Sequence, residues 1–336
     1  MDPIPFPTPT VVRGGCKKLA ILRGGGSGSS DIQECLCMIS SNGTIYELER
    51  KLCDAIYGQV RVACVLQEVV TATASESGNK IFQRTEIYVA IKILNIQKIR
   101  TKMGALTEDP LKELAALQFI GNGHPYVQGQ LECVQDQHNI YSVMNLCTGG
   151  ELLDYILVNR LTEPQGRYLF KQIVSGVEYI QGRGVTHRDL SLENILLTAE
   201  GCCKIIDLGQ SLRVPVHDQT LTPLGGLAPL GMCGKLPYRA PEVFQNKEFD
   251  GFAIDVWALG IILFMLLTSQ QPVDYPDRLC DRYTYIVSGE LKSLMVQWGL
   301  IISDCAMDLI QNILREDPSQ RLTLSQIKDH PWFNED

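Results

Sequence analysis

The chain of 336 residues lacks the features that would commit it to a membrane, an extracellular space or a nucleic acid. Its most apolar stretch, "VWALGIILFMLL" from Val256 to Leu267, is about a dozen residues where a bilayer span needs roughly twenty. It is expected as a buried helix, with no membrane span. No apolar leader opens the sequence and no CxxC pair stands at zinc-site spacing. The twelve scattered cysteines are therefore expected to be reduced thiols of an intracellular, cytoplasmic protein. "CLC" at Cys35 and Cys37 and the adjacent Cys202 and Cys203 are read as strand or turn thiols, because zinc needs two correctly spaced pairs. A basic excess is also missing. The formal charge of -8 argues against a general nucleic-acid or phospholipid binder and leaves two readings open, an acidic surface for basic peptides or plain solubility. No D-x-D-x-D-G calcium loop appears. The glycine run "RGGGSGSSD", Arg23 to Asp31, lacks the Gly-Lys-Ser/Thr ending of a phosphate loop and reads as a linker.

What is present is a change of texture along the chain. Alternating prolines in "MDPIPFPTPT" and the glycine run mark residues 1–44 as a flexible extension. From Tyr46, "YELERKL", "QVRVACVLQEVV" and "IYVAIKIL" are short β-branched or alternating runs expected as antiparallel strands, with "TATASESGN" as a polar loop between the last two. One helix follows, with Leu111, Leu114, Leu117 and Ile120 at helical spacing, and then the strand-like "IYSVMNL" ends at Gly149 and Gly150. Beyond it helical patterns dominate. Thr162 and Gln165 make a capping box, Pro164 sits in the first turn, and Leu169, Ile173, Val177 and Ile180 form one apolar stripe. An α+β protein results, a small β-rich lobe followed by a larger helical one.

Four signals stand in order: "VAIK" at Val89 to Lys92, "HRDLSLEN" at His187 to Asn194, "DLG" at Asp207 to Gly209, and "APE" at Ala240 to Glu242. With these, the chain from about Tyr46 to Phe333 resembles the eukaryotic protein kinases, Ser/Thr type, with a "HPWF" ending similar to calcium/calmodulin-type kinases. The resemblance implies a bilobal fold, with an N-lobe over 45–144, a hinge over 145–150 and a C-lobe over 151–333. It also implies ATP and Mg2+ as cofactors. Phosphoryl transfer needs cations on phosphate oxygens, a metal held by hard oxygens and an aligned acceptor. By resemblance, Lys92 contacts the α and β phosphates and pairs with Glu113, Asp189 is the base, and Asn194 and Asp207 ligate magnesium. Leu52, Gly58, Val60 and Ala90 line the nucleotide site. Met144, Leu146, Cys147 and Glu151 belong to the hinge side, with no catalytic role for the Cys147 thiol. Arg188 would bind a phosphate placed on the activation segment, residues 207–242, by an upstream kinase; Thr220 and Thr222 are either its acceptors or unmodified loop residues. Glu242 would pair with Arg321, and Asp255 would hold the catalytic-loop backbone.

Three departures qualify this pattern. Cys53 and Ala55 occupy glycine positions of the phosphate loop, and only Gly58 is kept, so weaker or differently shaped ATP binding is expected. Leu208 replaces a phenylalanine in a packing position, a mild change. Ser191 replaces the catalytic-loop lysine, while Lys235 occupies a position where the family usually has threonine. Lys235 is expected either to return the missing charge to Asp189 and the γ-phosphate or to be a solvated loop lysine. The partner is a protein or peptide with a Ser/Thr acceptor; Glu151 and Glu193 either select a basic one or make local contacts. The alternative to an active enzyme is a pseudokinase serving as a nucleotide-binding or scaffolding module.

Overall fold

Strand β6, Ile81–Asn95, is the longest element of the sheet and organises it by pairing differently along its two halves. The computed structural model of the protein describes residues 1–23, 31–69, 80–102 and 109–335. The "TATASESGN" loop and the glycine run expected as a linker lie outside the described residues except for Arg23 and Asp31. The chain divides into a strand-rich unit, Thr8–Asn122 with Gly129–Leu146, and a helical unit, Met1–Pro7 with Gly123–Gln128 and Cys147–Asp336.

In the strand-rich unit β1 (Val12–Arg13), β2 (Gly15–Arg23), β3 (Asp31–Ile39), β4 (Ile45–Ala55) and β5 (Gly58–Val69) precede β6, and β7 (Gln130–Gln135) and β8 (Asn139–Asn145) follow. The order is β1-β7-β8-β6-β2-β3-β4-β5, with β5 also paired to β6. Strands β2 to β6 therefore close on themselves. Phe82, near the start of β6, stands beside Ile21 of β2 in a parallel pair and beside Glu68 of β5 in an antiparallel one. Ile21, Cys37, Leu66 and Phe82 fill the core of this closed part. The second half of β6 pairs β8, and Met38, Tyr46, Ile91, Tyr141 and Val143 pack there.

This corrects the reading of residues 1–44 as a flexible extension. Residues 12–23 and 31–39 supply three strands, and Cys35 and Cys37 are strand thiols in β3. The local signal was hidden because Leu19, Ile21, Cys35 and Cys37 alternate inward within runs that the prolines and the glycine tract make look like linker. One partner, Phe82 beside Ile21, also lies far along the chain.

Among the described residues two helices lie between β6 and β7: α1 (Ile96–Lys102) and α2 (Pro110–Ile120). Asp109 caps α2 by accepting from the Leu111 amide at 2.9 Å, and Leu114, Leu117 and Ile120 are buried as the helical spacing predicts. Thr10 and Gln118 exchange hydrogen bonds of 2.7 and 2.8 Å, fixing the chain before β1 to α2.

The helical unit contains α3 (Leu152–Val158), α4 (Glu163–Gln181), α5 (Pro241–Phe244), α6 (Gly251–Thr268) and, nearer its end, α7 (Asp281–Val287), α8 (Leu291–Gln297), α9 (Asp304–Ile313), α10 (Leu324–Asp329) and α11 (Pro331–Asn334). Helix α4 carries the capping box of Thr162 and Gln165, and its stripe of Leu169, Ile173, Val177 and Ile180 is buried. Helix α6 is long and apolar enough to cross a membrane by composition, but 89% of it is buried inside the protein. Gly260 on α6 allows close packing, since a Cβ there would lie 2.7 Å from Ile313 and Leu314 side-chain carbons. Short strands β9 (Val185–Thr186) and β12 (Leu212–Arg213) pair with each other, as do β10 (Ile195–Leu197) and β11 (Cys203–Ile205), and these frame the loops that carry Asp189 and Asp207.

Candidate active site

The loop from Thr186 to Asn194 is held from below by one buried carboxylate. Asp255, on α6, accepts from the Thr186 hydroxyl at 2.9 Å, the His187 amide at 2.8 Å and the Arg188 amide at 2.9 Å. Burial pushes its carboxyl upward, while His187 and these donors pull it back. His187 is buried between an acceptor and a donor. Its Nε2 lies 2.9 Å from the Ile206 carbonyl and its Nδ1 receives the Asp189 amide at 3.3 Å, which puts the proton on Nε2. Arg188 has φ 66° and Asp207 φ 64°, left-handed backbone that costs a non-glycine residue on the order of 1–3 kcal/mol. Arg188 stands next to Asp189, and Asp207 is itself one of the groups expected to do chemistry.

Asp189 is engaged at both oxygens. Oδ1 accepts the Lys235 amide at 2.9 Å, and Oδ2 accepts Asn194 Nδ2 at 2.8 Å. Asn194 Nδ2 also donates to the Asp189 carbonyl at 2.7 Å. The Lys235 ammonium lies 2.9 Å from Ser191 Oγ and 3.5 Å from Asp189 Oδ2. Lys235 thus reaches the catalytic loop with both its main chain and its side chain. Gly234 makes this approach feasible, because it has φ 76° and a Cβ there would sit 2.7 Å from the Arg188 carbonyl oxygen. Sequence reading singled out Lys235 but missed Gly234, whose only signal was a glycine directly before it. Ser191 is fully buried and caps the short turn Leu192–Asn194, accepting the Asn194 amide at 3.3 Å.

Asn194 and Asp207 are coupled through the main chain, since the Ile206 amide donates to the Asn194 carbonyl at 2.9 Å. Asp207 Oδ1 accepts the Gly209 amide at 3.1 Å, and Leu208 is buried as a packing residue. Because Asn194 spends its Nδ2 on Asp189, its Oδ1 is oriented as an acceptor. Asn194 and Asp207 would offer hard oxygens of the kind magnesium takes, alongside water and phosphate ligands. Among the described residues no group of three or more His, Cys, Asp or Glu competes for a metal.

Glu151 precedes α3 and pairs Leu196 in an isolated bridge. Burial raises its carboxyl, as do Asp154 and Glu193, against Lys235. Glu193 hydrogen-bonds the Tyr238 hydroxyl, and its Oε2 is buried with no hydrogen-bond partner among the described residues. Cys147 is half-buried, and burial pushes its thiol up, so it is a poor nucleophile. Arg188 donates to the Gln210 carbonyl at 3.2 Å and lies over the Phe249 ring at 5.6 Å. Thr220 and Thr222 are exposed and hydrogen-bond each other at 2.8 Å.

The strand-rich unit carries its own expected site residues. Lys92 on β6 meets both oxygens of Glu113 on α2 at 2.6 Å, a half-buried pair. In register, Val60 stands opposite Lys92, and Ala90 opposite both Val62 and Met144, with Leu146 just after β8. Leu52 is exposed on β4. Cys53, opposite Val60, and Ala55, opposite Gly58, belong to the β4–β5 hairpin, so the hairpin survives its missing glycines. Gly58 has a packing reason to be glycine, because a Cβ would lie 1.8 Å from the Ile93 carbonyl oxygen.

Comparison with known proteins agrees with this geometry. The protein kinase domain family matches residues 75–333. The SNF1-related protein kinase catalytic subunit alpha KIN12 of Arabidopsis thaliana is 37% identical over 247 residues, 73% of this chain and 46% of that protein. CBL-interacting protein kinase 17 of Oryza sativa subsp. japonica is 34% identical over 294 residues, 87% of this chain and 57% of that protein. The carbon catabolite-derepressing protein kinase of Secale cereale is 36% identical over 253 residues, 75% and 47% respectively. The chain spans about half the length of the curated relatives it matches. Motifs and two-unit α+β architecture agree with the family match, and the chain belongs to the protein kinase domain family.

Proposed function

We propose that this chain transfers the γ-phosphoryl group of ATP to a serine or threonine hydroxyl of a protein substrate. The observation that carries the reading is the cluster around Asp189, in which Asn194, the Lys235 main chain and the Lys235 ammonium converge on one carboxylate. Asp189 orients the acceptor hydroxyl and takes its proton. Lys235 supplies the positive charge that Ser191 cannot, at the side of the carboxylate where negative charge develops on the transferred group. Lys92, steadied by Glu113, holds the α and β phosphates. Asn194 and Asp207 would hold magnesium, which when bound neutralises phosphate oxygens.

Glu151, Asp154 and Glu193 give the substrate side an acidic character; burial, and after it Asp154 and Glu193, raise the Glu151 carboxyl. This favours peptides with Arg or Lys before the acceptor. On a peptide array, upstream Arg or Lys is expected to be enriched; a flat preference removes this specificity. Activation by an upstream kinase is part of the reading: Arg188 Nε is buried without a hydrogen-bond partner among the described residues, and a phosphate near it would be paired.

A second reading, a nucleotide-binding or scaffolding module without turnover, draws on Cys53 and Ala55 in the phosphate hairpin. Purified chain with magnesium-ATP and a basic peptide separates the two. Turnover is expected to exceed that of Asp189→Asn by at least about 10²-fold, the usual worth of a positioned base, and to stop on chelation of magnesium. Turnover equal to the Asp189→Asn control leaves only the scaffold reading.

A further inference from the structure

The first seven residues, read from their prolines as part of a flexible extension, lie against the activation segment. The Met1 nitrogen donates to the Gly226 carbonyl at 2.8 Å, and the Ala228 amide donates to the Met1 carbonyl at 3.0 Å. Farther on, the Ile4 amide donates to the Arg213 carbonyl at 2.9 Å, and Arg213 Nη1 donates to the Pro5 carbonyl at 2.9 Å. On its opposite edge the same stretch pairs with Phe249, which exchanges amide and carbonyl bonds of 2.8 and 3.1 Å with Leu227. Gly226 and Ala228 thus face one neighbour and Leu227 the other, the alternation of a strand between two strands.

The sequence suits this role. Prolines at 3, 5 and 7 cannot donate, and none is asked to: the donors are Met1 and Ile4, the acceptors Met1 and Pro5. Between them the prolines favour extended backbone, which reduces the entropy lost on docking. Gly225 leaves room for the Met1 side chain, since a Cβ there would lie 3.1 Å from its terminal methyl carbon. Met1 and Ile4 remain 53% and 40% exposed while Phe6 is partly buried, so main-chain pairing carries much of the hold on the segment.

We propose that residues 1–7 are an intramolecular β-strap that orders the activation segment from Arg213 to Ala228. It grips the segment before and after Thr220 and Thr222, and the main-chain and Arg213 groups it uses include no atom of either threonine. Its hold is therefore independent of their modification, and it steadies the segment that delivers Lys235 to Asp189. The catalytic part of this inference rests on the kinase reading above; the ordering part does not.

Hydrogen exchange and turnover, measured together, test both parts. Removal of residues 1–7 is expected to speed exchange at the Ala228 amide by about tenfold, the value of one to two net hydrogen bonds. The Leu227 amide, bonded to Phe249, is expected to change less than about twofold. Ile4→Pro, which deletes one donor from the full chain, should act in the same direction, and a peptide of residues 1–7 at millimolar concentration should restore protection to the truncated protein. Turnover should fall severalfold in both variants. Unchanged Ala228 exchange in both variants overturns the strap. Faster exchange with full turnover overturns its catalytic role, whereas an inactive full chain with faster exchange after truncation counts against the kinase reading alone.

Discussion

Replacement of Lys235 by alanine is expected to lower kcat by about 10²-fold or more while leaving the ATP KM within about threefold. The ammonium stands 2.9 Å from Ser191 Oγ and 3.5 Å from Asp189 Oδ2, in the helical unit, whereas the pair expected on the α and β phosphates, Lys92 and Glu113, belongs to the strand-rich unit. A charge that acts on the transferred group in the transition state affects the chemical step more than nucleotide affinity. Lys235→Arg should recover only part of the rate, because a planar guanidinium cannot occupy the same position relative to Ser191. Steady-state kinetics with varied ATP check both values. A variant whose KM rises while kcat holds would assign Lys235 to nucleotide binding instead.

Glu242→Ala is expected to destabilise the helical unit by about 3–5 kcal/mol, the cost of leaving a buried cation unpaired. Glu242 Oε1 and Oε2 accept from Arg321 at 2.9 and 3.2 Å, and both side chains are nearly sealed from solvent. Arg321 also donates to the Arg315 and Ala253 carbonyls and lies 5.2 Å from the Trp257 ring centroid, so it is fixed in place and cannot swing out to water. Glu242→Gln keeps the acceptor and should cost less. Denaturant midpoints of the two variants check this; equal, small losses would mean that the pair contributes shape rather than charge compensation.

Much of the helical unit and its site was legible in the sequence. The capping box at Thr162, the buried stripe of α4 and the apolar α6 are local patterns that tertiary structure had no reason to override. The order of Lys92, Asp189, Asn194 and Asp207 was readable for a similar reason: phosphoryl transfer needs those side chains and they stand in short, dense motifs. Strands β2 and β3 were not readable, because their weak alternation lies beside the prolines and the glycine tract, and the parallel pairing of Ile21 in β2 with Phe82 joins residues sixty-one positions apart. The contact of residues 1–7 with the activation segment is harder still, since three of its four hydrogen bonds are made by main-chain groups that every sequence possesses and the fourth by the Arg213 side chain. Lys235 stands between these cases. Its presence was visible as a departure from the family, but its reach to Asp189 depends on the left-handed turn at Gly234.

In the proposed mechanism Lys235, on the activation segment, does the work of the lysine that Ser191 replaces in the catalytic loop. The most direct measurement compares kcat for Lys235→Thr with that for Ser191→Lys/Lys235→Thr, which returns the charge to the loop. The single variant is expected to lose about 10²-fold, and the double variant to regain at least about tenfold of it, because the ammonium again lies beside Asp189. Full activity in Lys235→Thr, or a double variant no faster than the single one, would contradict this role of Lys235.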